Sequence, residues 1–221
     1  MRRTLVSCRG AKGYYWFTKF QEQGVDGFRK FKPPTAFDWN KPIDPASGVE
    51  IRPRVYFDMS VEKQKMGRIE FELAADVVPR TVENFMLLVM DKAAKVKGYQ
   101  GSKIHVVSKN NVIMGGDVEV GDGTGNHSAH KTRYIEDENY IIPHAEKGLL
   151  SMVSVGINTG GSQFYIGLGS GAGNRHLNGR CVVFGRVVKG MEVVDEIGGM
   201  FTSRLKPARE VVVDECGVIN G

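Results

Sequence analysis

A chain of 221 residues with 41% hydrophobic and 25% charged residues holds one well-packed domain and an extension, not two full-sized domains. No window comes near the roughly 18 uninterrupted apolar residues of a membrane span, which leaves a soluble or peripherally attached protein. The three cysteines, Cys8, Cys181 and Cys216, are too scattered for a disulfide framework or a zinc cluster, and a net charge of +5 suits an acidic partner without requiring one.

Residues 1–52 read as an irregular extension. The first twenty residues carry Arg2, Arg3, Arg9, Lys12 and Lys19 and no acidic residue, a pattern shared by mitochondrial targeting segments and by partner-binding tails. Tyr14, Tyr15, Trp16, Phe17, Phe20, Phe28, Phe31, Phe37 and Trp39 crowd this stretch, and both tryptophans are among them. Glycines and Pro33-Pro34 interrupt it, leaving room for a short helix near residues 15–22. That much aromatic surface calls for burial against the chain's own core or against another chain, and aromatic and Arg residues are common interface anchors.

From residue 53 to residue 221 the pattern is that of short strands. Apolar–polar alternation predicts strands at 55–59 and 67–73, joined by a hairpin loop at 62–65. A helix follows at 78–90, with Pro79 near its start and Phe85, Leu88 and Val89 on an apolar face. Further strands are expected at 103–107, 112–118, 149–155, 163–168, 182–188 and 210–213, with a second helix at 191–197 ended by Gly198-Gly199. Many short strands with two separated helices argue for a mainly β barrel capped by helices. His127 and His130 lie in a Gly/Ser-containing run without a ligand motif, so neither metal nor cofactor is expected.

Several blocks, in order, resemble one family. Gly98-Tyr99-Gln100-Gly101-Ser102 leads to His105, then Gly115-Gly116-Asp117 and Gly123-Thr124-Gly125. Asp137-Glu138-Asn139-Tyr140, Gly148-Leu149-Leu150-Ser151-Met152, Asn158-Thr159, Gly161-Ser162-Gln163-Phe164, Val182-Val183-Phe184-Gly185 and Asp214-Glu215-Cys216-Gly217 follow, and Pro79, Thr81, Glu83, Asn84 and Phe85 fit the first helix. Together they resemble the cyclophilins. The resemblance implies an eight-stranded antiparallel barrel with a helix at each end, a proline-peptide groove on its outer face, and peptidyl-prolyl cis/trans isomerisation.

That reaction must lower an amide-resonance barrier of about 18–20 kcal/mol. It needs an apolar seat for the proline ring and a fixed donor, for which a guanidinium is well suited. The resemblance places the family's central arginine directly after His105, where this chain has Val106. Asn111 and Val112 stand where a Phe and a Met wall the pocket, and Met114 where a Gln precedes the Gly-Gly-Asp turn. Val153-Ser154 replaces an Ala-Asn pair, Tyr165 replaces a Phe and adds a hydroxyl to the apolar floor, and Cys181 replaces a histidine. His176 takes a tryptophan's place, while Gln163 and Leu177 are kept. Gln163 fits peptide binding and strand closure equally; Leu177 reads as packing, His105 as structural, and Cys181 as an unreactive thiol.

The groove thus reads as vestigial, with no confident catalytic residue. The expected function is that of a weak or inactive cyclophilin-like subunit of a larger, possibly mitochondrial, complex, with a cytoplasmic protein as the alternative. Its partners would be other protein subunits held through Tyr14, Tyr15, Trp16, Phe17, Phe20, Phe28, Phe31 and Trp39, with proline peptides bound weakly if at all. The alternatives are an active isomerase that assists folding, and an RNA-associated protein in which the extension's aromatics stack on bases.

Overall fold

A computed structural model describes residues 36–169 and 174–219. Among them, eight strands close into an antiparallel barrel: β1 (Arg54–Val61), β2 (Gln64–Leu73), β3 (Lys103–Ser108), β4 (Val112–Gly115), β5 (Leu149–Met152), β6 (Phe164–Gly167), β7 (Val183–Lys189) and β10 (Val211–Ile219). Around the barrel the order is β1-β10-β3-β4-β6-β5-β7-β2. Helix α1 (Pro79–Val89) follows β2 and helix α2 (Met191–Gly198) follows β7, while Thr202–Ser203 (β8) and Lys206–Pro207 (β9) form a separate small hairpin.

The alternation read from the sequence is what builds β1 and β2. Val55, Phe57, Met59 and Val61 point inward from β1, and Ile69, Phe71 and Leu73 from β2. Outward neighbours pair across the strands: Arg68 grips Asp58 directly opposite it at 2.7 and 2.8 Å. The turn between the strands is tighter than the expected four-residue loop. Glu62 and Lys63 alone make it, both with positive φ (49° and 70°), and Gln64 and Lys65 already belong to β2. Inside the barrel, Phe57, Phe71, Phe85, Tyr99, Phe164 and Phe184 form one aromatic cluster with ring centroids 4.9–5.9 Å apart.

Three strands end three or more residues away from expectation. β4 stops at Gly115 rather than 118, because Gly116 takes φ 81° and turns the chain into the loop that Asp117 organises. β5 stops at Met152, where the chain leaves for an exposed loop. β10 continues to Ile219, since its outer half pairs along β1 as far as Arg54↔Ile219.

Helix α1 ties the barrel to its loops. Pro79 opens it, and the Glu138 carboxylate accepts from the N–H groups of Arg80 and Thr81 and from the Thr81 hydroxyl, at 2.9–3.1 Å. One turn on, buried Asn84 donates to the Gly161 carbonyl and accepts from the Ala129 N–H. Both loops that flank the candidate site are thereby pinned to one helix. At α2, Gly190 (φ 83°) lies so close to the Arg68 carbonyl that a Cβ would stand 2.0 Å from its oxygen, which only glycine permits.

The residues just before the barrel are clasped to it. Arg52, 7% exposed, makes a two-pronged ion pair with Asp76 (2.8 Å each) and donates to the Trp39 carbonyl at 2.7 Å. The guanidinium groups of Arg52 and Arg186 both lie over the Trp39 ring, 5.4 and 4.9 Å from its centroid, with Phe37 edge-on at 5.1 Å. Trp39 is 6% exposed and belongs to the main core. Expected among the partner-binding aromatics, it is instead buried within its own chain, because two cations and the barrel surface desolvate it. The other seven, Tyr14, Tyr15, Trp16, Phe17, Phe20, Phe28 and Phe31, and the short helix expected near them, lie outside the described residues.

Candidate functional site

The candidate groove residues come together on the outer face of β3, β4 and β6. Along β4, Ile113 points into the barrel, so Val112 and Met114 point out. The strand register then sets Val106 opposite Met114, Met114 opposite Tyr165, and Tyr165 opposite Ser151, a row across four strands. Val112, Tyr165 and Cys181 form a small apolar cluster separate from the barrel core, with Met114, Val153 and Leu177 packed on it. Six of the ten residues picked from the sequence thus meet in one patch. Val106, at the position the resemblance assigns to an arginine, is half-buried, and its side chain has no hydrogen to donate.

The other three do different work. Asn111 belongs to the β3–β4 turn, where its N–H donates to the Ser108 carbonyl and its own carbonyl accepts from Leu168. Ser154 has its hydroxyl buried without a partner, at the start of a loop that exposes Val155 and Ile157. Gln163 is buried, and its amide donates to the carbonyls of Gly123 (2.9 Å) and Gly125 (2.6 Å). Both donor hydrogens are committed to the glycine loop, so the geometry favours strand and loop closure over a free peptide-binding amide.

The same loop explains Asp117 and His105. The Asp117 carboxylate collects the N–H groups of Glu119, Val120, Asp122, Gly123 and Gly125 at 2.9–3.2 Å. Burial acts to raise its pKa, and the bonds from Val120, Gly125, Gly121 and Gly123 outweigh that, holding it below the ordinary carboxylate range. His105 packs beneath Gly123, where a Cβ would approach its ring to 2.7 Å at a φ of 94°. Burial, opposed by the Asp117 charge, keeps His105 below the usual histidine range. It is a neutral packing residue, as expected from the sequence.

The polar centre of the patch was not picked out from the sequence. Buried His144 accepts the Tyr165 hydroxyl at Nε2 (2.6 Å), with the Ser151 hydroxyl 3.2 Å from the same nitrogen. The His144 Nδ1–H donates to the side-chain Oδ1 of Asn178 at 3.0 Å, which also receives the His144 backbone N–H at 2.7 Å. This network fixes the tautomer. Burial pushes the His144 pKa down to about 4, so the ring is neutral, and it stacks on Tyr165 at an interplanar angle of 18°. The added hydroxyl of Tyr165 is therefore satisfied by His144, and the aromatic ring remains part of the apolar cluster. Burial likewise raises the Cys181 thiol above its ordinary range, which favours the protonated form over the thiolate. A sequence clue did exist: Ser151 is the one hydroxyl in β5 and faces Tyr165, so it needed a polar cover.

Among the described residues no group of three His, Cys, Asp or Glu side chains is placed to hold a metal, and no helix is long and apolar enough to cross a membrane. His127 engages the Ser128 carbonyl through Nδ1 at 2.8 Å.

The ordered signature blocks, the closed eight-stranded barrel and the external apolar patch agree with a comparison against protein-family models. The model for cyclophilin type peptidyl-prolyl cis-trans isomerase/CLD matches residues 56–218, from the first barrel strand to the end of the last. With the barrel matched over that whole span, the chain belongs to the cyclophilin-type peptidyl-prolyl cis-trans isomerase family.

Proposed function

We propose that this cyclophilin-type domain seats proline-containing peptides weakly, turns them over slowly or not at all, and serves as an accessory subunit of a larger assembly, a mitochondrial one. The observation that carries the reading is Val106, at the β3 end of the row Val106–Met114–Tyr165–Ser151. Isomerisation needs a fixed donor that draws the prolyl nitrogen out of resonance. A preorganised donor of this kind is worth about a hundredfold to a thousandfold in rate. A valine isopropyl group supplies none of it.

The apolar cluster of Val112, Met114, Val153, Tyr165, Leu177 and Cys181 supports retained binding of an apolar ring. It equally favours the second reading, an active isomerase with an altered site. The assembly role is supported by the aromatic, acid-poor sequence of the first 35 residues. The mitochondrial reading rests on the same arginine-bearing segment, and RNA association remains the third use of it. Recovery of co-purifying proteins on tagged full-length chain, compared with a chain starting at residue 36, tests the assembly role. The cut belongs before Trp39, because removal of Trp39 would open the clasp. Loss of specific partners with the barrel still folded is the expected outcome. Equal recovery from both chains contradicts it, and RNA retained only by the full-length chain favours the third use.

A further inference from the structure

The β8–β9 hairpin carries chemistry that the groove does not use. Its ladder pairs Thr202 with Pro207 and Ser203 with Lys206, and the Ala208 N–H donates to the Phe201 carbonyl at 2.9 Å. Alternation therefore puts Phe201, Ser203, Lys206 and Ala208 on one face, and all four are exposed, while Thr202 and Pro207 are half-buried on the other. Phe201 is 80% exposed and Leu205, at the tip, 51%.

The tip is also built against local preference. Arg204 and Leu205 both hold positive φ (50° and 67°) in a two-residue turn of the kind that favours Asn, Asp and Gly. The Glu62–Lys63 turn does the same with two polar residues that water solvates. The second hairpin instead puts a leucine in the left-handed region and leaves half of it in solvent. Fold stability alone gives no reason for that choice.

Charge completes the pattern. From Gly198 to Arg209 there is no acidic residue. Arg209 pairs with Glu62, but Arg204 and Lys206 have no acidic partner among the described residues. The hairpin is fixed to the barrel, since the Val107 N–H at the far end of β3 donates to the Leu205 carbonyl at 2.7 Å.

We propose that this hairpin is a peripheral docking element for an anionic lipid surface, with Phe201 and Leu205 entering the interfacial layer and Arg204 and Lys206 on the phosphates. An exposed face presenting aromatic and aliphatic side chains between cations that have no acidic partner among the described residues matches that layered chemistry. A lipid interface accepts such side chains without a shaped pocket. Single-stranded nucleic acid would use Phe201 for stacking but has no use for Leu205 at the tip. The inference is independent of whether the groove turns over prolyl bonds.

The test is co-sedimentation of the full chain with phosphatidylcholine vesicles, with and without about one-third phosphatidylserine. Binding is expected to the anionic vesicles, to fall with added salt, and to be at least about tenfold weaker on phosphatidylcholine alone. Leu205→Gly suits the left-handed backbone and so keeps the turn, and Phe201→Ser removes only exposed surface; each is expected to weaken binding about tenfold. Arg204→Gln with Lys206→Gln provides a second, purely electrostatic variant, expected to lose about twentyfold. The basic first twenty residues are unchanged in all of these variants. Undiminished vesicle binding by them assigns the affinity to that segment and overturns the proposal. So does a wild-type chain that ignores anionic vesicles, or one that binds polyuridylate but not lipid.

Discussion

At the scale of single residues, the site is decided by what each side chain has been given to do. Gln163 looks like a peptide-binding amide in the sequence, yet both of its hydrogens close the Gly123–Gly125 loop. Val106 was legible because the residue after His105, where the resemblance implies a guanidinium, can be read from one letter. His144 was not, because its role depends on Tyr165, Ser151 and Asn178, which lie 21, 7 and 34 residues away. Its burial has a measurable consequence. The folded chain resists protonating His144 until about pH 4, whereas the unfolded chain takes up the proton near the ordinary 6.5. Unfolded molecules therefore bind more protons in this window, and stability falls as pH drops from 6.5 towards 4, by about 3 kcal/mol from this residue. His105, also lowered by burial, acts in the same direction. Asp58 and Asp117, held below their ordinary range, act at lower pH still. Urea unfolding across this window should show the slope, and His144→Gln should flatten it; a flat wild-type profile would count against a buried neutral His144.

At the scale of elements, the strands were readable wherever alternation was strong, as in β1 and β2, and their ends were not, because ends are set by partners. β10 runs six residues past its expected end at 213 because β1 is there to pair with it. The β8–β9 hairpin escaped notice because its strands are two residues long and its turn is Arg-Leu rather than Asn-Gly. The clasp before the barrel also depends on distant partners: Arg52 reads as one more surface cation until Asp76 and Trp39 close around it. Removing one member of a buried ion pair leaves the other uncompensated, at a cost of about 3–5 kcal/mol. Arg52→Ala is expected to lower stability by that amount and shift the emission of Trp39 to the red. Chemical denaturation followed by tryptophan fluorescence checks both, and a loss within about 0.5 kcal/mol would show the clasp to be a surface feature.

At the scale of the whole molecule, one barrel holds three surfaces with different chemistry. The outer patch on β3, β4 and β6 keeps an apolar seat beside a valine. The clasp fixes Trp39 to the barrel through Arg52 and Arg186. The hairpin at the end of β3 presents apolar and cationic groups to solvent. The family is expressed in the barrel and its pinned loops, and the proposed loss of a guanidinium at Val106 would alter the chemistry without touching that fold. Turnover of a Xaa-Pro peptide, measured by exchange spectroscopy or a protease-coupled assay on the full chain, tests this account most directly. Wild-type protein should accelerate isomerisation little above the uncatalysed rate of tens to hundreds of seconds, and Val106→Arg should raise turnover about tenfold or more. A wild-type rate already a thousandfold or so above background, unchanged or lowered by Val106→Arg, would contradict it.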